Sequence, residues 1–540
     1  MRTPQLRGLS PSTLDLVKKL YGRRALFQRW NRADDTIAIL EQISEANEPA
    51  AIRDLMPFGL ARSEEIRAKA RTIILRLFAQ VPIETLPSLD ESLRQSWANL
   101  EDWYGLRPEA IDSLGQNTDA DRTFLGLVTS HRNGYVRAAA LRALEADSSD
   151  IVIPFVLIRL VDWVSEVRFA AERAVQEKLR PEYARAFVGC LGLIDRLTTN
   201  SRFRAVYTHW LDALLTRAEC AGTLREGMAV LSRGIRRHCY RVAVENPALT
   251  VDDVIEQAIG DPDVIVRKWA YTASRSLLPA SEEALRLRAA EDPYGPIRRI
   301  AFDAFAANPS ARPEDVMPFL FDRSAAIRRD CQTEISNRIG KSAAEFYRTR
   351  IQNHSSKNAD ISVLGLAETG TRDDAVMIAA LLGSRSARVR RAVVRALRIL
   401  AANGYEATLL RVVSSDVPSV AREAAFALLC SRAVPADGVW AEAKKNGDRR
   451  VRSGVLKLLK NAGKWQQLQF FLEASADSDL NLSELAIGML SAWMQNSNSS
   501  FVQPSTTDTE MSLRPLESVR RCLPAPLVHQ LEFILQTAAK

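Results

Sequence analysis

One hydrophobic pattern recurs along most of the chain. An apolar residue (position 0) is followed directly by arginine (position 1), and a small residue stands at position 4. Position 0 falls at Ile66, Val136, Val167, Phe203, Ile235, Val266, Ile297, Ile327, Ile361, Val389, Val420, Val451 and Leu482. From Val136 onward the interval stays close to 31 residues, and the gap of 70 residues before it leaves room for one degenerate repeat. Such self-similarity predicts a repeat architecture.

The repeat positions fit an amphipathic helix. Positions 0, 4, 7 and 11 share one face at ~100° per residue, and a small residue at position 4 lets a neighbouring helix approach to ~8 Å. Five residues before position 0, ten repeats have Asp, Asn, Ser or Thr, as expected at a joint between two helices. A second apolar helix, such as 251–259, precedes each joint, and no repeat shows a sustained strand pattern.

These features predict an all-α protein, an α-solenoid of about 14 stacked helix pairs that bury their apolar faces only by stacking. The solenoid is expected over residues 34–494, after a basic helical segment at 1–33. Residues 495–511 are polar and low in complexity, which predicts a linker or loop. Residues 512–540 are expected to form an amphipathic helix that caps the last repeat, with Leu527, Leu531, Ile534 and Leu535 on its apolar face.

The order of polar turn, apolar residue, arginine and small residue resembles HEAT repeats. The 31-residue period is similar to the short bacterial HEAT-like type of phycobilin-lyase-like proteins. In HEAT proteins the turn aspartate and the position-1 arginine form a ladder between successive repeats. The resemblance implies this structural role for Asp162 with Arg168, Asp261 with Arg267, Asp292 with Arg298 and Asp322 with Arg328, and for Asp477, whose repeat lacks the arginine.

Charge is concentrated at the N-terminus. The formal net charge is +8, and residues 1–32 contain eight cations (Arg2, Arg7, Lys18, Lys19, Arg23, Arg24, Arg29 and Arg32) against Asp15. The rest of the chain has 65 cations and 64 acids. The charge count therefore indicates a basic N-terminal segment, the basic head, followed by a nearly neutral remainder, the body. The basic segment is favoured as a docking helix over a transit peptide.

Catalytic and metal-binding motifs are missing from the sequence. The six cysteines form no CxxC pair, the histidines do not stand at ligand spacing, and no nucleotide-binding or nucleophile motif is found. We therefore expect no enzyme activity, no cofactor and no metal. Free thiols and the lack of an 18-residue apolar stretch predict a cytoplasmic protein without a membrane span.

Position 2 is the strongest candidate for a binding role. Cations stand there in four consecutive repeats and again in two later ones, at Arg237, Lys268, Arg299, Arg329, Arg391 and Arg422. Position 2 lies opposite the buried face, so these six residues, the cationic stripe, are expected to line the inner surface of the solenoid. Repeats ~8–10 Å apart would spread the first four cations over roughly 24–30 Å.

Two classes of function follow from this stripe. The near-neutral body favours a non-catalytic scaffold or adaptor that holds a protein partner on the inner surface. The alternative function is nucleic-acid binding, because the cations of the stripe and of the basic head could neutralise phosphates. The HEAT-like resemblance adds an alkylpurine DNA glycosylase or a phycobilin lyase as less favoured enzymes, for which the sequence shows no catalytic or chromophore site.

Overall fold

The structure, a computed structural model, contains only helices and turns in the residues that it describes. These residues are 8–26, 33–94, 101–115, 117–353, 357–401, 403–497 and 502–538. Of the basic N-terminal segment, Arg2, Arg7, Arg29 and Arg32 lie outside them. The chain divides into two compact units, residues 1–285 and 286–540. None of the described helices is long and apolar enough to cross a lipid bilayer.

The first unit consists of short helices. Its α-helices are α1 (Pro11–Leu26), α2 (Ala33–Ala46), α3 (Ile52–Leu55), α4 (Glu64–Phe78), α5 (Leu86–Arg94), α6 (Glu101–Tyr104), α7 (Asp119–Val128), α8 (Gly134–Glu145), α9 (Ile153–Ile158), α10 (Ser165–Glu177), α11 (Ala184–Gly189), α12 (Leu191–Leu197), α13 (Ala205–Leu215), α14 (Ala221–Ala229), α15 (Arg233–Ala243), α16 (Val251–Ile259) and α17 (Val264–Leu277), and the unit ends within α18 (Glu282–Glu291). Its 3-10 helices are Pro49–Ala51, Phe58–Leu60, Ile83–Thr85, Pro108–Leu114, Asp150–Val152, Arg159–Val161, Pro181–Tyr183, Ala218–Cys220 and Pro279–Ser281.

The second unit repeats the same helix-pair pattern. Its α-helices are α19 (Gly295–Ala306), α20 (Pro313–Val316), α21 (Ala325–Ile339), α22 (Ala343–Gln352), α23 (Ala359–Thr369), α24 (Asp374–Ala379), α25 (Ala387–Leu400), α26 (Glu406–Ser415), α27 (Pro418–Ser431), α28 (Ala436–Lys445), α29 (Arg449–Leu459), α30 (Lys464–Ser475), α31 (Leu480–Gln495), α32 (Thr506–Val519) and α33 (Ala525–Ala538). The 3-10 helices Met317–Phe321 and Ala380–Gly383 belong to this unit.

Helix pairs stack on one another, as the hydrophobic pattern predicts. The helix that contains position 0 packs against its counterpart in the next repeat, for example α8 on α10 and α25 on α27, while α26 packs on α28. Position 4 is buried in these helices, at Ala140, Ala171, Val393 and Ala424 among others. The all-α solenoid architecture is thereby confirmed.

The repeat whose position 0 is Ile361, called repeat 361, departs from the pattern. An aromatic ring occupies the space that a side chain at position 4 normally fills. Position 4 is Gly365, and a Cβ atom built there would lie 2.2 Å from Cζ of Tyr347. The Tyr347 hydroxyl donates to the carbonyl of Leu320 at 2.7 Å, which anchors the buried ring. Glycine is therefore required here by packing.

The C-terminal region contains more helix than the sequence indicates. Helix α32 begins at Thr506, within the segment expected to be a linker, because Ser505 and Asp508 form a reciprocal capping box at its N-terminus. Residues 506–511 are therefore helical, and residues 498–501 of that segment lie outside the described residues. The region expected to form one final helix instead contains most of α32 and all of α33. Leu527, Leu531 and Leu535 of α33 are buried, as the apolar pattern predicts.

Candidate functional site

The arginine at position 1 joins two successive turns. Its Nη1 donates to a carbonyl of its own turn, six residues upstream, as from Arg298 to Asp292 at 2.9 Å. Its Nε and Nη2 donate to the carboxylate in the next turn, as from Arg298 to Asp322 at 2.7 and 2.8 Å. The same carboxylate pairing joins Arg137 to Asp162, Arg236 to Asp261, Arg390 to Asp416 and Arg452 to Asp477. We call this set of contacts the ladder.

The side-chain pairs of the ladder are offset by one repeat from those that the resemblance implies. Within a repeat, Arg168, Arg267, Arg298 and Arg328 each donate to the backbone carbonyl of the turn aspartate, namely Asp162, Asp261, Asp292 and Asp322. Oδ1 of the aspartate accepts the N–H two residues later, as Asp322 does from Ser324 at 2.7 Å, so the carboxylate is held against its turn. Asp477, whose repeat lacks the arginine, is bound by Arg452 of the preceding repeat.

The register of the ladder can be measured by double-mutant cycles. We expect Arg236→Ala and Asp261→Ala each to lower the free energy of unfolding by about 1–3 kcal/mol, because each leaves a mostly buried partner unpaired. Their effects should be coupled by more than about 0.5 kcal/mol. Arg267→Ala should couple less strongly to Asp261→Ala, because alanine retains the carbonyl that Arg267 contacts. Stronger coupling of Asp261 to Arg267 than to Arg236 would contradict this register.

Asp162 is the most heavily bonded carboxylate of the ladder. Besides Arg137, it accepts hydrogen bonds from Nη2 of Arg94 at 3.1 Å and from Nη1 of Arg159 at 3.0 Å. The side chains of Asp162, Arg137 and Arg159 are at most 1% exposed. Arg94 and Arg159 stand outside the repeat pattern, and for this reason the sequence does not reveal them as partners.

The ladder is rerouted at repeat 361. That repeat has Ser362 at position 1, and Arg328 of the preceding repeat binds Glu368 instead of a turn aspartate, with Nε–Oε2 at 3.1 Å. Gln332 donates to the same carboxylate at 3.0 Å. Downstream, Arg348 donates two hydrogen bonds to the carboxylate of Asp374, from Nε to Oδ1 at 2.7 Å and from Nη2 to Oδ2 at 3.0 Å.

Half of the cationic stripe is paired with carboxylates. In the first unit, Arg237 on α15 donates twice to Asp263, which raises the pKa of Arg237, whereas Lys268 on α17 is exposed. In the second unit, Arg299 on α19 contacts Asp303 and Asp330, and Arg391 on α25 contacts Glu423. Arg329 on α21 and Arg422 on α27 are exposed. The paired arginines have less free charge to offer phosphates than the sequence suggests.

The positive charge of the body is concentrated in one segment that the whole-chain count conceals. Residues 385–460 contain 16 Lys and Arg against 6 Asp and Glu, a net charge of +10. Outside this segment and residues 1–32, the chain has 49 cations and 58 acids. The prediction of a nearly neutral body is therefore correct only as an average, and a running charge count would have found the segment.

The surplus charge forms a surface on three neighbouring helices. The cations at positions 2, 6 and 9 of these three repeats form what we call the basic face; they are Arg391, Arg395 and Arg398 on α25, Arg422 on α27, Lys457 on α29 and Lys460 directly after α29. Among the described residues, Arg422, Lys457 and Lys460 form no ion pair. Glu423, at position 3 of α27, is the acid that contacts this set, and it lies between Arg391 (Nε–Oε2, 3.0 Å) and Arg395 (Nε–Oε1, 3.4 Å). Six cations against one acid leave a net charge of +5.

A cavity with a mixed apolar and polar lining adjoins the basic face. Its volume is about 490 Å³; Phe426, Leu429, Val434, Leu458 and Ala462 form its apolar wall, and Arg432, Asn461 and Gln466 contribute polar groups. Phe426 is position 6 of α27 and is 39% exposed, and the guanidinium carbon of Arg398 lies 5.5 Å from the centre of its ring. The cavity thus opens beside the cations.

A second exposed surface lies in the first unit and is aromatic. Tyr135, Trp163 and Phe169, the aromatic surface, are 79%, 62% and 66% exposed. They belong to α8, to the turn before α10, and to α10, two helices that pack together. The guanidinium of Arg137 lies 5.6 Å from the centre of the Trp163 ring. Sequence reasoning missed these residues because apolar character predicts burial, although Phe169 stands at position 2, which the repeat pattern places opposite the buried face.

The buried cysteines and the arrangement of possible metal ligands bear on the chemistry of the described residues. Burial raises the pKa of Cys190, Cys239 and Cys331 to about 12, which disfavours the reactive thiolate. No group of three or more His, Cys, Asp or Glu among the described residues is arranged to hold a metal ion. These thiols therefore serve packing, as their burial indicates.

Comparison with known proteins yields distant structural similarity only. No family model matches the sequence, and no curated protein matches it. A chain of a homology model of the full-length AP-3 complex is 12% identical, with 96% of this chain and 90% of that chain covered and a TM-score of 0.37. Importin beta, crystallised in polyethylene glycol, is 13% identical, with 94% and 79% covered and a TM-score of 0.34. Because both scores are below 0.5, these similarities decide nothing about function.

Proposed function

We propose that the protein is a non-catalytic scaffold that binds a protein partner. The observation that carries this proposal is the aromatic surface of the first unit. Exposed Tyr and Trp side chains are typical of the residues that dominate protein–protein binding energy. A monomer that keeps three large rings mostly in water gains no folding stability from them, so burial against a partner supplies a reason for their presence.

The pairing within the cationic stripe supports a protein over a nucleic acid. A surface that neutralises phosphates needs free cations, because affinity for nucleic acid grows with the number of phosphates contacted. Carboxylates already neutralise Arg237 and Arg299, and Arg391 shares the carboxylate of Glu423 with Arg395. We propose that the stripe presents mixed charges, which suit the polar rim of a protein interface.

The test compares matched variants in capture from a nuclease-treated lysate of the source cells. We expect the triple variant Tyr135→Ser/Trp163→Ser/Phe169→Ser to capture at least about tenfold less of one or more proteins than the wild type does. A tenfold decrease in affinity corresponds to ~1.4 kcal/mol of binding free energy. The control Leu231→Ser/Val376→Ser/Leu480→Ser removes equally exposed apolar side chains elsewhere and should retain them. Cross-links from the captured protein should map to α8 and α10.

Two results would contradict the proposal. The first is an identical set of captured proteins for the wild type and the aromatic triple variant. The second is loss of all capture after nuclease treatment, which would indicate that nucleic acid bridges the proteins. Circular dichroism of each variant establishes that the helical fold is retained before the capture is compared.

A further inference from the structure

We infer that the basic face and its adjoining cavity form a docking site for an acidic, amphipathic segment of a partner protein. This inference rests on the proposed scaffold function and names a surface and a partner chemistry for it. It concerns α25, α27 and α29 of the second unit, and it is independent of the aromatic surface of the first unit.

The first argument is charge. Six cations and one acid share three helix faces, while the rest of the chain outside residues 1–32 and 385–460 is acidic. A surplus of this size costs self-repulsion in the free protein, and an anionic partner relieves it. Such complementarity also selects against cationic partners.

The second argument is the geometry of the arginines around Glu423. Arg391 and Arg395 approach its carboxylate through their Nε atoms, and both side chains remain about half exposed. The nearly buried Glu423 thus fixes both side chains. The Nη groups of each guanidinium are left as donors for a further carboxylate, since guanidinium has five N–H groups in all.

The third argument is the cavity, which distinguishes a protein segment from a nucleic acid. Its apolar wall of Phe426, Leu429, Val434, Leu458 and Ala462 is suited to a bulky apolar side chain. A duplex keeps its bases stacked inside the helix and presents only phosphates and groove edges, whereas an acidic segment with a leucine or an aromatic residue has both required features. Three helices at ~8–10 Å spacing span ~16–20 Å, about the length of a 12-residue helix.

The probe is a display library of random peptides about 16 residues long, selected on the full-length protein. We expect enrichment of peptides that combine several Asp or Glu with at least one bulky apolar residue. Arg422→Glu/Lys457→Glu/Lys460→Glu should weaken the enriched peptides at least tenfold, measured by fluorescence anisotropy. These three cations have no ion-pair partner among the described residues, so their reversal leaves the ladder intact.

Matched variants separate local from general effects. Arg323→Glu/Lys341→Glu/Arg411→Glu makes the same change of net charge at exposed positions elsewhere in the second unit and should retain binding. Phe426→Ser should weaken the peptides, whereas Leu480→Ser, at another exposed apolar residue, should not. On the peptide side, Glu→Gln versions should lose binding to the unaltered protein, which tests charge without any protein variant.

Four outcomes would overturn the inference. They are enrichment of neutral or basic peptides, equal binding of acidic peptides by the charge-reversed variant, no enrichment at all, and binding of random-sequence RNA or duplex DNA that excludes the peptides. The last outcome would assign the face to nucleic acid, and its affinity should then fall steeply with salt. A failure here with intact capture through the aromatic surface refutes this site alone and leaves the scaffold function standing.

Discussion

Replacing Asp162 by alanine should lower the local stability of the first unit by about 3–5 kcal/mol, because it leaves the buried guanidinium of Arg137 without a carboxylate. Arg137, Arg159 and Arg94 all donate to Asp162, whereas Arg159 and Arg94 also bind Asp90, which remains after the substitution. Hydrogen exchange of α8 and α10 measures the free energy of local opening directly.

Two further variants isolate the cause of that loss. Asp162→Asn keeps an oxygen that can accept from the N–H of Val164, so it removes the charge and retains the turn. Asp322→Ala removes a carboxylate that Arg298 alone binds through its side chain among the described residues, and about 1–3 kcal/mol is expected. If Asp162→Ala costs no more than Asp322→Ala, the three arginines do not act as one buried cluster.

Replacing Gly365 by alanine should destabilise the second unit by about 1–3 kcal/mol through overpacking. The new Cβ would lie 2.2 Å from the Tyr347 ring, and the hydrogen bond from Tyr347 to Leu320 prevents the ring from moving aside freely. Chemical denaturation, monitored by circular dichroism, measures the change in unfolding free energy.

Gly488→Ala is the matched control for this substitution. Gly488 also lies inside a helix, α31. A Cβ atom built there would have no atom within 4 Å apart from its chain neighbours and the backbone of its own helix. Alanine should therefore stabilise the protein there by roughly 0.5–1 kcal/mol. Adding Tyr347→Leu to Gly365→Ala should recover part of the loss, and a double variant that is simply the sum of its parts would refute the steric explanation.

The helical repeat is predictable from the sequence because its cause is local. Position 0 and position 4 residues such as Val136 and Ala140 recur at fixed spacing and are buried. The position-1 arginines are predictable for the same reason. Their register is not, because Arg137 reaches the turn that follows 25 residues later and its own turn equally lies within side-chain reach.

Contacts from outside the repeat pattern escape sequence reasoning. Arg94 and Arg159 join Asp162 only in three dimensions, and Tyr347 reaches Gly365 from a different helix. The basic face is visible in the sequence once charge is counted locally, but Glu423 cannot be recognised from the sequence as the acid that binds both Arg391 and Arg395. Exposure of Trp163 is likewise a property of packing, whereas the exposure of Phe169 follows from position 2 of the repeat.

The ladder also bears on how such a chain can change in length. Each turn carboxylate takes its arginine from the preceding repeat and shapes its own turn through a backbone N–H, as Asp477 does with Arg452 and Asp479. Between repeats that both carry the turn aspartate and the position-1 arginine, duplication or excision of one whole period brings an equivalent arginine opposite an equivalent carboxylate, so neither charge loses its partner at the junction. An insertion of any other length would separate both partners, so gene rearrangements that survive there should come in whole periods. This interchangeability fails around Arg328 and Glu368 and at the turns where Thr198, Ser384 or Asn446 replaces the aspartate.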